Sequence, residues 1–189
     1  EETPKPSETS KPSQATPKPV DTSVRDTSGA IYRVTSSDSK NPTVEYKKTD
    51  DIVGGNVKIK SSVKVLGITY KITAIAANTF KNNKKITSVT IGSNVTSIGK
   101  SAFEKCTKLK SVTLSKNVES IGKNAFKDCK KLKKITIKST KLDSDGVKKG
   151  AFSGINKKVV VKVPKSKYSA YKKLLRSKGL NKKVKIKKI

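Results

Sequence analysis

The four phenylalanines of this chain, Phe80, Phe103, Phe126 and Phe152, stand 23, 23 and 26 residues apart. The apolar residues around them keep the same frame. Val95, Ile98, Gly99, Ala102, Phe103, Cys106, Leu109, Val112 and Leu114 are answered by Val118, Ile121, Gly122, Ala125, Phe126, Cys129, Leu132, Ile135 and Ile137. An earlier copy reads Ile72, Ile75, Phe80, Ile86, Val89, Ile91, and a fourth, three residues longer, keeps Ala151-Phe152 and ends in Val159 to Pro164. Self-similarity at this period is the mark of a stacked repeat rather than of a single rounded core.

Within one copy, Val112-x-Leu114 alternates at period two and predicts a short strand, while Ala102-Phe103-x-x-Cys106 has the spacing of a helical turn. A single copy cannot stand alone. Its eight or so inward side chains contribute roughly 1.5 to 3 kcal/mol each on burial, against about 1 to 2 kcal/mol of backbone entropy for each ordered residue. Stacking is therefore obligatory, and the predicted architecture is a quasi-one-dimensional solenoid with a column of phenylalanine rings.

A solenoid needs covered ends, and the flanks read as caps. On the N-terminal side, Ile31 to Val34, Thr43 to Tyr46, Val57 to Lys60 and Val63 to Val65, with Gly54-Gly55-Asn56, predict β-hairpins. On the C-terminal side, Ser166 is expected to N-cap a helix running to about Lys178, which lines up Tyr168, Tyr171, Leu174 and Leu175 and stops at Gly179; a strand at Val184 to Ile186 follows. The tyrosines are read as core. Five of the seven prolines fall in positions 1 to 19 among Thr, Ser, Lys and Glu, a composition with almost nothing to bury. The expected division is a disordered linker over 1–28, a β-rich cap over 29–71, repeats over 72–164 and a C-terminal cap over 165–189.

The chain carries a formal charge of +30, and residues 31 to 189 account for +31 of it. Histidine, methionine and tryptophan are absent. That removes imidazole acid/base chemistry, His-ligated metals and the Ser-His-Asp and Cys-His nucleophile systems. No cofactor or metal is expected, and no enzyme. Of the 44 basic residues only Arg25, Arg33 and Arg176 are arginine, which disfavours specific nucleic-acid reading, since bidentate recognition of guanine or phosphate prefers the guanidinium fork. No apolar stretch is long enough for a membrane span. The first residue is Glu1, not Met, which fits a mature or truncated form whose leader is gone and points to export.

Two columns are candidate binding surfaces. Thr90, Thr113 and Thr136 share one outward strand position, with Ser88, Ser111 and Lys134 beside them and Lys162 continuing the row. The second column lies at the turn after each phenylalanine: Lys84 and Lys85, Lys108, Lys130 and Lys131, Lys157 and Lys158. Like charges about 5 Å apart in water repel by roughly 0.8 kcal/mol per pair before screening, a cost that a polyanion relieves. Cys106 and Cys129 occupy equivalent positions, within reach of a disulfide, but read as small buried fillers with free thiols. Asp143-Ser-Asp145-Gly146 resembles a fragment of a calcium loop without its remaining ligands and reads as a turn. Glu104, Glu119 and Asp128 share no repeat position, so they form no catalytic carboxylate pair.

Leu109-x-x-Val112-x-Leu114-x-x-Asn117 has leucine-rich-repeat spacing, matched by Ile86 to Asn94 and by Leu132 to Thr140. With V-x-S-I-G-x-x-A-F-x-x-C, the pattern resembles the bacterial surface antigen (BspA-like, or treponemal) leucine-rich repeats over residues 69 to 164. It departs from them at the strand end, where Gly92, Ser115 and Lys138 stand in place of a frequent proline and only Pro164 conforms. The resemblance implies a right-handed leucine-rich-repeat solenoid, β-rich with short helical turns and α/β by class. It implies a secreted or cell-surface bacterial binding protein that adheres to a host or bacterial surface protein or glycan; a monomer is expected. The competing reading is a polyanion-binding protein that holds an anionic cell-wall polymer, acidic glycan or nucleic acid through its lysines.

Overall fold

The computed structural model describes residues 15–49 and 54–189. The expected linker lies outside the described residues up to position 14. Its remainder is not all linker: β1 (Ser23–Arg25) pairs antiparallel with β2 (Ala30–Ser36), burying Val24. The sequence between the prolines and Gly29 has one alternation, Ser23-Val24-Arg25, too short to stand out from its polar surroundings.

β2 pairs antiparallel with β3 (Thr43–Thr49), as the hairpin reading expects. β4 (Gly55–Lys58) does not join that hairpin. It lies parallel to β7 (Ile86–Thr90), with Val57 opposite Val89 and Lys58 opposite Thr90. β5 (Ser62–Val65) and β6 (Ile68–Ile75) form the second hairpin, closed by Leu66 and Gly67 at φ 48° and 83°. Positive φ at both turn residues is the type I′ signature that suits strand twist. β3 then runs parallel to β6, which ties the N-terminal hairpin to the first coil.

From β6 onward the chain winds in coils. One ladder is made by the end of β6, β8 (Ser97–Ile98) and β10 (Ser120–Ile121), all parallel and extended by a bridge from Ile121 to Val147. The other is a six-stranded parallel sheet in which β4, β7, β9 (Ser111–Leu114), β11 (Lys134–Ile137), β12 (Val160–Val163) and β13 (Lys185–Lys188) lie side by side. Val57, Val89, Val112, Ile135, Val161 and Ile186 fall in one register row across it. The supposed caps therefore supply the first and last strands of this sheet, and the repeats run past both 72 and 164.

The aromatic column is present. Phe80, Phe103, Phe126 and Phe152 stack with centroid spacings of 5.2, 5.2 and 5.7 Å. Tyr46 adds a further rung at 5.6 Å from Phe80, and Tyr32 closes it edge-on at 5.4 Å from Tyr46. The turn around each phenylalanine is not helical, however. Asn78, Ser101 and Asn124, and again Asn82, Lys105 and Asp128, hold φ between 55° and 63°. A left-handed residue on each side of the ring breaks any helix. It also turns alternate N–H groups toward the next coil, as in Ser101 to Lys123, Phe103 to Ala125 and Lys105 to Lys127.

At the C-terminus, Lys165–Lys167 form a 3₁₀ turn and α1 (Tyr168–Ser177) follows. Ser166 thus sits inside the turn, the cap position is Lys167, and no side chain caps the helix. Tyr171 and Leu175 are buried beneath it, and Gly179 reverses the chain at φ 106°. The Tyr171 hydroxyl donates to the Ser139 carbonyl at 3.1 Å and accepts from the Leu142 N–H at 3.0 Å. That fixes the helix on the loop ahead of the fourth coil. Tyr168 is half-buried, its ring covered by Lys188 at 5.1 Å. Both tyrosines are engaged in packing.

Candidate functional site

Strands one coil apart are about 4.8 Å from each other, so any residue type that recurs in the repeat becomes a column at that spacing. The register turns the sequence rows into surfaces. Thr90, Thr113, Thr136 and Lys162 align across four adjacent strands, and Ser88, Ser111 and Lys134 align two residues earlier. The rows continue beyond the residues named from sequence. Lys58 precedes Thr90 and Lys187 follows Lys162, while Asn56 precedes Ser88 and Val160 and Lys185 follow Lys134. The result is an outward face with hydroxyls in its middle strands and lysines at both edges. Ser88 donates to Asn56 Oδ1 at 2.6 Å, which knits the first two strands on the outer side.

The lysine column is likewise assembled. Lys84, Lys85, Lys108, Lys130, Lys131, Lys157 and Lys158 are all exposed at the entry to consecutive strands. A groove of about 390 Å³ crosses three coils there, lined by Asn82 and Lys84, by Lys105 and Thr107, and by Asp128 and Lys130. The column runs one coil beyond the lysines named from sequence. Lys182 and Lys183 enter β13 through the same turn, because the Asn181 side chain accepts the Lys183 N–H at 2.9 Å as Asn156 does for Lys158 and Asn83 for Lys85. The signal was available: Asn-Lys-Lys followed by Ile or Val occurs at 83–86, 156–159 and 181–184.

The remaining residues singled out from sequence are structural. Cys106 and Cys129 are free and buried, their thiols donating to the Phe80 and Phe103 carbonyls at 3.0 and 3.1 Å. Burial pushes the Cys106 thiol up to about 12 and raises Cys129 as well. A thiol so raised is a packing group, not a nucleophile at neutral pH. Asp143 Oδ1 accepts the N–H groups of Asp145 and Gly146, so this acidic stretch is a side-chain-closed turn. Glu104 lies 3.3 Å from Lys81 of the preceding coil, and its carboxyl is held below its ordinary value by a hydrogen bond from Ser101 first and by Lys81 and Lys127 beside it. Glu119 pairs with Lys141 at 2.6 Å. Among the described residues no group of three or more Cys, Asp or Glu side chains is placed to hold a metal.

The model for BspA type leucine rich repeat regions matches residues 57–187 as six copies. These bounds begin within β4, at Val57, and take in nearly all of β13, in agreement with the six-stranded sheet. No curated protein matches the sequence significantly. Among solved structures the chain is similar to a leucine-rich repeat protein from Bacteroides capillosus, at 27% identity over 71% of this chain and 98% of that one, with a TM-score of 0.56. It is also similar to a leucine rich cell surface protein from Faecalibacterium prausnitzii, at 26% identity over 75% of this chain but only 45% of that one, with a TM-score of 0.53. The pneumococcal vaccine antigen PcpA shares the fold, with 19% identity over 78% of this chain and 47% of PcpA at a TM-score of 0.54.

Proposed function

Since this chain belongs to the BspA-type leucine-rich repeat family, we propose that it is a non-catalytic binding module of the bacterial surface, secreted or held there, which adheres to a host or cell-surface macromolecule through the outer face of its six-stranded sheet. The observation that carries this reading is the register of the face. Ser88 to Ser111 to Lys134, and Thr90 to Thr113 to Thr136 to Lys162, are aligned without a break, which offers a partner a rigid polar plane set by backbone hydrogen bonds. Side chains held on strands lose less freedom on contact than side chains on loops, so such a plane binds at lower entropic cost. The cell-surface description of the Faecalibacterium protein supports the location.

The test is an array of host matrix proteins and glycans probed at about 50 and about 200 mM salt, with the native chain and a variant carrying Thr113→Gln and Thr136→Gln. The substitutions leave charge unchanged and add bulk at the centre of the face. Expected is a partner whose binding depends weakly on salt and falls at least tenfold in the variant. Retention of full affinity by the variant would move the contact elsewhere.

A further inference from the structure

We propose that the lysine column is a second binding surface, and that its ligand is a flexible, base-free linear polyanion bearing closely spaced phosphate or sulfate groups. This inference is independent of the strand-face reading, because it rests on the turns that enter the strands. The column runs through five coils, from Lys84 and Lys85 to Lys182 and Lys183, a length of about 19 Å at strand spacing. It is flanked by Lys110 and Lys133, exposed just inside the second and third coils of the series.

Among the described residues no carboxylate forms an ion pair with this charge. The ion pairs among the described residues use Arg33, Lys81 and Lys141, and no lysine of the column takes part in one. One carboxylate, Asp128, lines the groove beside Lys84, Lys105 and Lys130. After Asp145 the sequence has no acidic side chain at all, so residues 146–189 carry +16. The field therefore persists to the last coil.

The shape and chemistry of the column select the ligand. The groove crosses coils along the stacking direction, so an extended chain can follow it, whereas a single small anion meets one or two ammonium groups. The groove has no aromatic side chain on which a base could stack and no arginine to read a base edge. Lysine ammoniums act as point charges without a directional fork, which suits a flexible polymer whose anionic groups adjust to them.

The experiment measures binding of the full chain to pyrophosphate, long-chain polyphosphate, heparin and single-stranded DNA of matched charge, at about 50 and about 200 mM salt. Two variants remove equal charge: Lys84→Gln, Lys108→Gln, Lys130→Gln and Lys158→Gln from the column, two of them lining the groove, and Lys40→Gln, Lys64→Gln, Lys138→Gln and Lys172→Gln from exposed sites outside it. Circular dichroism checks that both remain folded. Expected is tight binding of a long polymer and none of pyrophosphate. The column variant should lose about 30-fold at low salt, and the log-log salt slope should fall by about 0.7 per contact removed, roughly 3 in all. The control variant should stay within threefold. Preference between polyphosphate and heparin identifies the phosphate or the sulfate source. Equal losses in the two variants, no binding of either polymer, or tighter binding of the DNA would overturn the proposal.

Discussion

Replacing Phe126 tests the stacked column where it is most enclosed. The ring is 1% exposed and lies between Phe103, stacked parallel to it at 5.2 Å, and Phe152, 5.7 Å away at 12°. Phe126→Ala removes the largest side chain of its coil from a site that coils on both sides hold open, so the cost belongs at the upper end of the 3 to 5 kcal/mol range, about 5 kcal/mol. Phe126→Leu separates the causes. Leucine keeps most of the apolar area but loses two ring contacts, each worth about 0.5 to 1.5 kcal/mol, so it should cost about 2 kcal/mol. Phe152→Leu loses one ring contact, with Phe126, and should cost about half as much. Urea unfolding followed by circular dichroism gives the three values, compared at a common m-value. If Phe126→Leu costs no more than Phe152→Leu, ring stacking contributes nothing beyond area, and the column is held by the backbone ladder alone.

Gly122→Ala should destabilise by about 3 kcal/mol and lower Tm by roughly 6 to 12 °C. A Cβ there would stand 2.5 Å from Lys100 N and 2.7 Å from Gly99 C, backbone atoms of the preceding coil that cannot step aside; an unchanged Tm would refute the close approach. The buried thiols predict an alkaline limit. Because the folded Cys106 value is raised from 9.0 to about 12, its contribution is complete below the unfolded value and is lost as pH rises through this window, by about 1.4 kcal/mol per pH unit. Denaturant titrations at rising pH should show a smaller decline in Cys106→Ala than in the native chain, and equal slopes would contradict the burial.

The interior of the solenoid was legible because its constraints repeat. Each coil must place apolar residues at the same positions to bury them, and Phe80 through Phe152 announce the period directly. Tyr46 stayed hidden as the next rung because it lies 34 residues before Phe80 and the β5–β6 hairpin fills the interval. The flanking strands β4 and β13 were visible as strands but not as members of the same sheet. A lone Val57-Lys-Ile59 carries no information about whether its neighbour is parallel or antiparallel. The turn around each ring looks helical in sequence because Ala-Phe-x-x-Cys spacing places its apolar residues as a helix would. Asn78, Asn82, Asn124 and Asp128 were the available signal, being residue types that tolerate left-handed backbone, while Ser101 and Lys105 at the same positions obscured it. For the candidate surfaces, sequence gave the rows and the structure gave their extent, because how far a column runs depends on which strands join it.

The way the charges are used bears on function more than their number does. Two acidic side chains of the coils act as ties between neighbours: Glu104 reaches Lys81 one coil back, and Glu119 reaches Lys141 one coil on. These pairs involve lysines outside the column. A repeat selected for stability alone would gain by placing a carboxylate opposite Lys108 or Lys131, since a partly screened pair at this spacing changes the sign of a repulsion near 0.8 kcal/mol. The chain instead stacks like charges through five coils and in its last 44 residues dispenses with acids altogether. Such an arrangement costs the isolated protein stability, and on the proposal above the cost is returned when a polyanion lies along the coils. On that proposal the binding energy lies in a surface longer than any single coil.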